Sequence, residues 1–396
     1  MKAPWLIVSP SFVKAGGMDE ANYELARYLA DEGHETHLVG HRAGAELTKL
    51  AGIHFHRAPR PAESDFLGEP LLAAIGWWWA RAIAARGGRV VVNGGNCPWY
   101  DANWVHHVHS TFRPGIPSGR LRRLKNRVQY PLDVAAERRI IPRARIAITC
   151  SDLSRRDVIE KLGADSDRVL AVYLGIDPDR FRPPTAAERV AARRTIAPLS
   201  SGPLIAFVGA LGDDRKGFDV LFSAWTRLCP RADWDANLVV IGHGVAMRRW
   251  QARAAADGLD ARIHFLGFEA APDFVARTLW GCDLLVLPSR YEGYGRPVQE
   301  ALCCGIPAIV SRRAGVAEQY PPELAELVLA DPENAEALAN LMLQWRSRTD
   351  YWKEQVAPLA SALRRHTWTE MARQIVAIIE SRRAPSALVS REDFAA

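Results

Sequence analysis

The segment 284–310, LLVLPSRYEGYGRPVQEALCCGIPAIV, decides how the rest of this chain is read. Its apolar run Leu284–Leu287 predicts a buried strand, stopped by Pro288 and Ser289. In the loop that follows, Gly293 and Gly295 let the backbone pass close to a ligand. Pro297 suits a first helical turn, where its missing N–H would have had no partner anyway, and Gly305 suits the helix stop. Residues 306–310 begin a second buried strand. A strand–loop–helix–strand unit of this kind aims free N–H groups and the positive end of a helix dipole at the mouth of a parallel sheet, a place for an anion such as a phosphate.

Two carboxylates frame that place. Glu292 lies in the loop and Glu300 about two helical turns on, so both can face one pocket if the helix begins near Arg296. A carboxylate repels a phosphate but accepts hydrogen bonds from hydroxyls beside it, and a nucleotide sugar carries hydroxyls on both sides of its pyrophosphate. The run Glu292-Gly-Tyr-Gly-Arg-Pro-Val-Gln-Glu300, with the small residues of 301–307 behind it, resembles the E-x7-E signature of the retaining glycosyltransferases of family 4, which have the GT-B fold. The resemblance implies that Glu292 contacts the donor sugar and Glu300 the nucleotide ribose. It also implies that Gly293, Tyr294, Gly295, Arg296, Pro297 and Val298 bind the donor between them.

The composition narrows the alternatives. At 396 residues the chain exceeds one ordinary hydrophobic core, so two domains are expected. An apolar content of 48% with 24% charged residues describes a globular chain, and no apolar run approaches the ~20 residues of a membrane span. The six cysteines show no metal-ligand spacing and read as buried thiols of a reducing cytoplasm. A net charge of +6 is too small for a dedicated nucleic-acid binder and suits an anionic ligand or an acidic membrane face.

The first half opens with a strand at 5–9, a loop carrying Gly16 and Gly17, a helix over 20–31 and a strand at 35–39, which is a βαβ start. Gly16-Gly17 is not the G-x-G-x-x-G dinucleotide fingerprint, and it resembles the family-4 glycine loop that lies against the donor phosphate. A helix over 70–86 carries Trp77, Trp78 and Trp79, which spread around its circumference and cannot all face one core stripe. They are read either as core packing with one exposed ring or as a ring for a membrane interface or acceptor groove. In a strand expected over 104–111, His107 and His109 alternate with valine and would share one face. The stretch Val108-His109-Ser110-Thr111 resembles the family histidine that faces donor sugar and acceptor across the cleft, which assigns His109 to the reacting side. Residues 113–145 are rich in arginine against only Asp133 and Glu137, as an anionic-lipid surface or a solvated helix face would be.

Residues 174–181 resemble the family's approach to the interdomain linker, with Leu174 where asparagine is usual. Asp177-Pro178-Asp179 spells D-x-D, a metal motif in another glycosyltransferase fold, but beside proline in a linker it reads as a turn. The expected domains are therefore 1–182, binding the acceptor, and 183–379, binding the nucleotide sugar, the last helix crossing back to the first domain and a disordered tail filling 383–396. The second domain begins with a strand at 204–208 and a glycine-bounded loop whose Arg215 and Lys216 precede a helix from Phe218, well placed for a pyrophosphate. That loop resembles the family's G-R-x(n)-K-G segment and keeps its lysine as Lys216. Ala210 stands where a second phosphate-binding arginine is usual, so Arg215 is expected to serve in its place.

These features and the resemblance together imply an α/β GT-B protein that moves a hexose from a nucleotide-diphosphate sugar to a hydroxyl acceptor on a lipid-linked or surface glycan, with retention. Glu292, His109, Lys216 and Arg215 are the expected catalytic residues. No metal or other cofactor and no nucleic acid is expected, and the protein is placed in the cytoplasm, peripheral to the membrane. A nucleotide-sugar epimerase of the same fold and a non-catalytic, membrane-docked glycan-binding protein are the alternatives.

Overall fold

The computed structural model describes residues 2–14, 16–113, 115, 120–196, 202–212, 214–269, 271 and 273–381, with the backbone alone for 120–126. The expected tail at 383–396 and part of the arginine-rich segment lie outside the described residues. The described strands form two large parallel sheets. The first runs, edge to edge, Ile53–Arg57, Thr36–Gly40, Trp5–Val8, Arg89–Val92, Ala102–Val105, Ile146–Thr149 and Val169–Ala171. The second runs Ile263–Gly267, Asn237–Ile241, Leu204–Val208, Leu284–Leu287, Ala308–Ser311 and Val328–Leu329. In each sheet the first strand of the domain lies in the interior, with earlier connections running to one side and later ones to the other. The order therefore reverses beside it, and the crevice at the carboxyl ends of those two strands is where open α/β sheets take their ligands.

The strand sequences explain this arrangement. Leu284–Leu287 and Leu204–Val208 are continuous apolar runs, as strands covered on both faces by helices must be, and every residue of the former is buried. The helix Trp368–Ser381 packs on the helix Gly17–Asp31 of the first domain, with Trp368, Met371, Ile375 and Ile379 buried. Its entry is tight: a Cβ on Gly175 would stand 2.5 Å from the Trp368 backbone, and Ile176 N–H donates to the His366 carbonyl at 3.1 Å.

One expectation changes here. The strand expected over 104–111 ends at Val105, and His109–Thr111 is a 3-10 turn. Its ends are fastened by Glu137, which accepts from His109 N–H at 2.9 Å, and by the Thr111 hydroxyl, which donates to the Val108 carbonyl at 2.5 Å. The shared-face argument for His107 and His109 therefore lapses. Of the three tryptophans on the helix Asp65–Ala85, Trp77 and Trp79 lean on the core and Trp78 is 58% exposed. Asp177-Pro178-Asp179 is a turn, with Asp177 Oδ1 accepting from the N–H groups of Asp179 and Arg180.

Candidate active site

Both domains contribute to an interdomain cavity of about 490 Å³, within the ~300–1,000 Å³ usual for small-molecule sites. On the second-domain side it opens at the point where strand order reverses, between the ends of Leu204–Val208 and Leu284–Leu287. Ala210, Arg215 and Lys216 follow the first of these strands, and Glu292 follows the second. On the first-domain side the wall includes Lys14, Gly16, Gly17, His106 and His107.

The two loops of the second domain are locked together by their own contacts. Arg290 is paired through Nη1 and Nη2 with Asp219, at 2.8 and 2.7 Å, and its backbone N–H donates to the Arg215 carbonyl at 2.8 Å. Gly217, at φ 70°, has its Cβ position 2.1 Å from the Pro288 carbonyl oxygen, so only a glycine lets the loop lie on Pro288. The consequence is contact between Lys216 Nζ and Glu292 Oε1, with Arg215 Nη1 at 3.2 Å from the same oxygen. Burial acts most strongly on Glu292 and works to raise its pKa, but the combined fields of Lys216 and Arg215 outweigh it and bring the carboxyl down to about 2. Glu292 is thus a buried carboxylate between two cations and the cavity.

Glu300 lies on the helix Arg296–Cys303, whose N-cap is Gly295 at φ 105° and whose first turn contains Pro297. Arg296 Nη2 bonds Glu300 Oε1 at 2.8 Å and Glu20 Oε2 at 2.7 Å, while Nη1 donates to the Gly16 carbonyl at 2.8 Å. Glu20 in turn holds Arg180 Nη2 at 2.8 Å. Burial, the largest influence on Glu300, leaves its pKa raised despite Arg296. On Glu20 burial is again the largest single influence, yet Arg296 and Arg180 together leave its pKa lowered.

Across the seam, the first domain holds the loop between the two glutamates. The Gly293 carbonyl accepts from Ser151 Oγ at 2.6 Å and Ser154 Oγ at 3.0 Å, and a Cβ on Gly293 would stand 2.2 Å from the His106 carbonyl oxygen. Ser151 is the N-cap of the helix Asp152–Leu162, so one side chain ends a helix and grips the other domain.

Of the residues singled out in the sequence, Gly16, Gly17, Arg215, Lys216, Glu292, Gly293, Tyr294, Gly295, Arg296, Pro297 and Glu300 meet at this cavity. Two do not. Val298 is fully buried in the core beneath its helix, because it follows Pro297 onto the face turned to the sheet. His109 is not on the cavity wall: its Nδ1 is 2.7 Å from Glu137 Oε1, and its ring stands edge-on to His107, which takes the wall position beside Tyr291. Burial, followed by His109 and Arg215, pushes His107 down to about 3, so it is neutral near pH 7. His109 is pushed down most by burial, but the hydrogen bond and charge of Glu137 reverse this and leave it raised. Sequence reasoning missed Glu20, Arg180, Ser151 and Ser154, whose partners lie far away in the chain.

Comparison with known proteins bears on the fold and the family. Residues 15–180 match the profile described as Glycosyltransferase Family 4, and residues 202–347 the one described as Glycosyl transferases group 1. A D-inositol 3-phosphate glycosyltransferase of Xylanimonas cellulosilytica is 26% identical over 92% of this chain and 91% of its own. A phosphatidyl-myo-inositol mannosyltransferase of Mycobacterium tuberculosis is 29% identical over 59% of each chain, and a 2-deoxystreptamine glucosyltransferase of Streptomyces kanamyceticus 28% identical over 53% of this chain and 54% of its own. These last two matches span little more than half of either partner. Among solved structures, WaaG, a glycosyltransferase of lipopolysaccharide biosynthesis, superposes with a TM-score of 0.75 at 19% identity, covering 95% of this chain and 99% of that one. Sucrose-phosphate synthase of Thermosynechococcus elongatus gives 0.76 at 18% identity, covering 96% and 99%. With one glycosyltransferase profile on each domain and two Rossmann-like sheets facing a shared cavity, the chain is a glycosyltransferase of the family-4 type with the GT-B fold.

Proposed function

We propose that this glycosyltransferase moves a hexose from a nucleoside-diphosphate sugar to a hydroxyl acceptor with retention at the anomeric carbon. The observation that carries the reading is the meeting of Glu292, Lys216 and Arg215 with the helix start at Gly295 on one interdomain cavity. When the bond from the anomeric carbon to the diphosphate breaks, the electron pair leaves on the phosphate oxygen. Positive charge held at that oxygen in a water-poor cavity lowers the barrier most, and Lys216, Arg215 and helix N–H groups supply it without a metal. Arg215 thereby serves where Ala210 cannot. Glu292 orients the sugar hydroxyls, Glu300 accepts from the nucleotide ribose, and His107, neutral and on the wall, takes the place on the reacting side that the sequence assigned to His109.

The acceptor is proposed to be lipid-linked or on a surface glycan, reached from the cytoplasmic face of a membrane. Among the described residues no helix is long and apolar enough to cross a membrane. The helices Asp65–Ala85 and Arg120–Ile140 are joined by a contact between Gln129 Nε2 and Glu69 Oε1 at 3.5 Å, and they expose Phe66, Leu67, Leu71, Trp78, Val128 and Leu132 beside the exposed Arg127, Arg138 and Arg139. Exposed apolar side chains on helices that also carry exposed arginines suit an anionic bilayer surface.

Titration calorimetry of the full chain with UDP, GDP, ADP and their hexose conjugates tests the donor reading, and binding of none of them would end it. Glu292→Ala should then abolish transfer in a protein that still melts cooperatively. Turnover of donor sugar without acceptor would instead identify an epimerase. Cosedimentation with phosphatidylglycerol vesicles, lost in high salt, tests the membrane face.

A further inference from the structure

We infer that Arg296 and Glu20 are a positioning pair for Glu300, through which the first domain sets the carboxylate that reads the nucleotide's ribose. This rests on the proposed role of Glu300.

The guanidinium of Arg296 has one nitrogen, Nη2, shared between Glu300 Oε1 and Glu20 Oε2, and the other, Nη1, on the Gly16 carbonyl. Its planar face lies over the Trp368 ring, 5.3 Å from the centroid. Three of its four neighbours therefore belong to the first domain or to the helix that returns to it. A planar fork fixed at so many points cannot shift without carrying Glu300 along. Arg296 occupies Oε1 of Glu300, and a ribose hydroxyl would take Oε2. The guanidinium also opposes the effect of burial on Glu300 and so favours the charged form, the one that accepts from two hydroxyls.

A bland alternative is that these charges only cement the domains. Arg180 separates the two readings, because it is bonded to the same Glu20, is comparably buried at 12% side-chain exposure against 9% for Arg296, and acts on Glu300 only through its charge, without a bond to it. Cement predicts similar consequences for both arginines. Positioning predicts a ribose-specific consequence for Arg296 alone.

The experiment measures dissociation constants of the full chain for UDP, GDP and ADP and for their 2′-deoxy counterparts. Wild type should prefer the ribonucleotide of its best-bound base by about tenfold or more, the size of a hydrogen bond to a charged group. Glu300→Gln should shrink that preference to about twofold, and Arg296→Gln should do the same, while Arg180→Gln should keep it within about twofold of wild type even if it lowers the melting temperature as much. Arg296→Lys, which retains the buried charge and so keeps the fold testable if the glutamine variant does not fold, should restore the preference only in part. Equal ribose preference in wild type and both Arg296 variants overturns the inference, as does equal loss in Arg180→Gln. If Glu300→Gln itself keeps the full preference, the ribose role of Glu300 fails first and the pair has nothing to position.

Discussion

Glu292 and Glu300 share one loop and helix, yet different halves of the molecule hold them. Glu292 is gripped inside its own domain by Lys216 and Arg215, with Arg290 and Asp219 pinning the two loops together. Glu300 is gripped through Arg296 by Gly16 and Glu20 of the opposite domain. The end of the cavity proposed for the sugar and phosphate is therefore held within one domain, and the end proposed for the ribose is held by contacts between the two. That division suits the proposed chemistry, which needs its charge stabilisation fixed in place when the bond breaks.

The sharpest way to break this comparison is Glu292→Gln. Loss of its charge should lower transfer on the order of 10³-fold. Nucleoside-diphosphate affinity should hold or rise, because Lys216 and Arg215 no longer have a carboxylate competing with phosphate. Calorimetry beside a transfer assay reads both. An affinity that collapses with activity would mean that Glu292 builds the phosphate site rather than serving the sugar.

Lys216→Met comes next, with diphosphate affinity expected to fall about 10²-fold and stability by roughly 3–5 kcal/mol, as when one partner of a buried pair is removed. The pH dependence has a definite sign. Glu292, at about 2, lies below the ~4.3 of an unfolded glutamate, so its pairing contributes stability above that value and loses it as pH falls toward about 2. Without Lys216, burial regains weight and the carboxyl rises, so acid unfolding should begin at higher pH. Circular dichroism against pH reads it, and an unmoved acid limb would show that Arg215 alone holds Glu292.

These two residues were legible in the sequence because their chemistry is local: a strand, a glycine-bounded loop and a helix start bring charge to a sheet end wherever they occur. Gly217 and Gly295 were legible for the same reason, since a left-handed backbone before a helix all but names glycine. Glu20, Arg180 and Ser154 were not. Nothing in a helical glutamate or a serine near a helix start says that its partner lies in another domain. The histidines show a subtler limit. Alternation with valine assumed an unbroken strand, but Glu137, from a helix further along, takes His109 N–H and its ring and turns the chain after Val105, which leaves His107 on the wall.

Gly293→Ala sharpens the comparison from the seam. Its new methyl would meet the His106 carbonyl at 2.2 Å, backbone against backbone, so relief requires the domains to move apart rather than a side chain to turn. A displacement near 1 Å should cost roughly 10- to 100-fold in transfer. Each sheet should remain folded, and X-ray scattering should show a larger radius of gyration. Unchanged scattering with lost activity would mean that the loop, not the domain closure, had moved.

Ser154→Ala asks the finest question. The Gly293 carbonyl has two hydroxyl donors from the first domain, and Ser151 alone remains after this change, still accepting from the residue 154 N–H as helix cap. One neutral hydrogen bond of a pair contributes about 1 kcal/mol, which corresponds to no more than about fivefold in transfer and a small fall in melting temperature. The carbonyl belongs to the residue next to Glu292, so this bond is one of two by which the first domain reaches the neighbour of a carboxylate held by its own domain. If Ser154→Ala lowers turnover as far as Gly293→Ala does, with nucleotide affinity unchanged, Glu292 too depends on the first domain, and the half of the site held within one domain shrinks to Lys216 and Arg215.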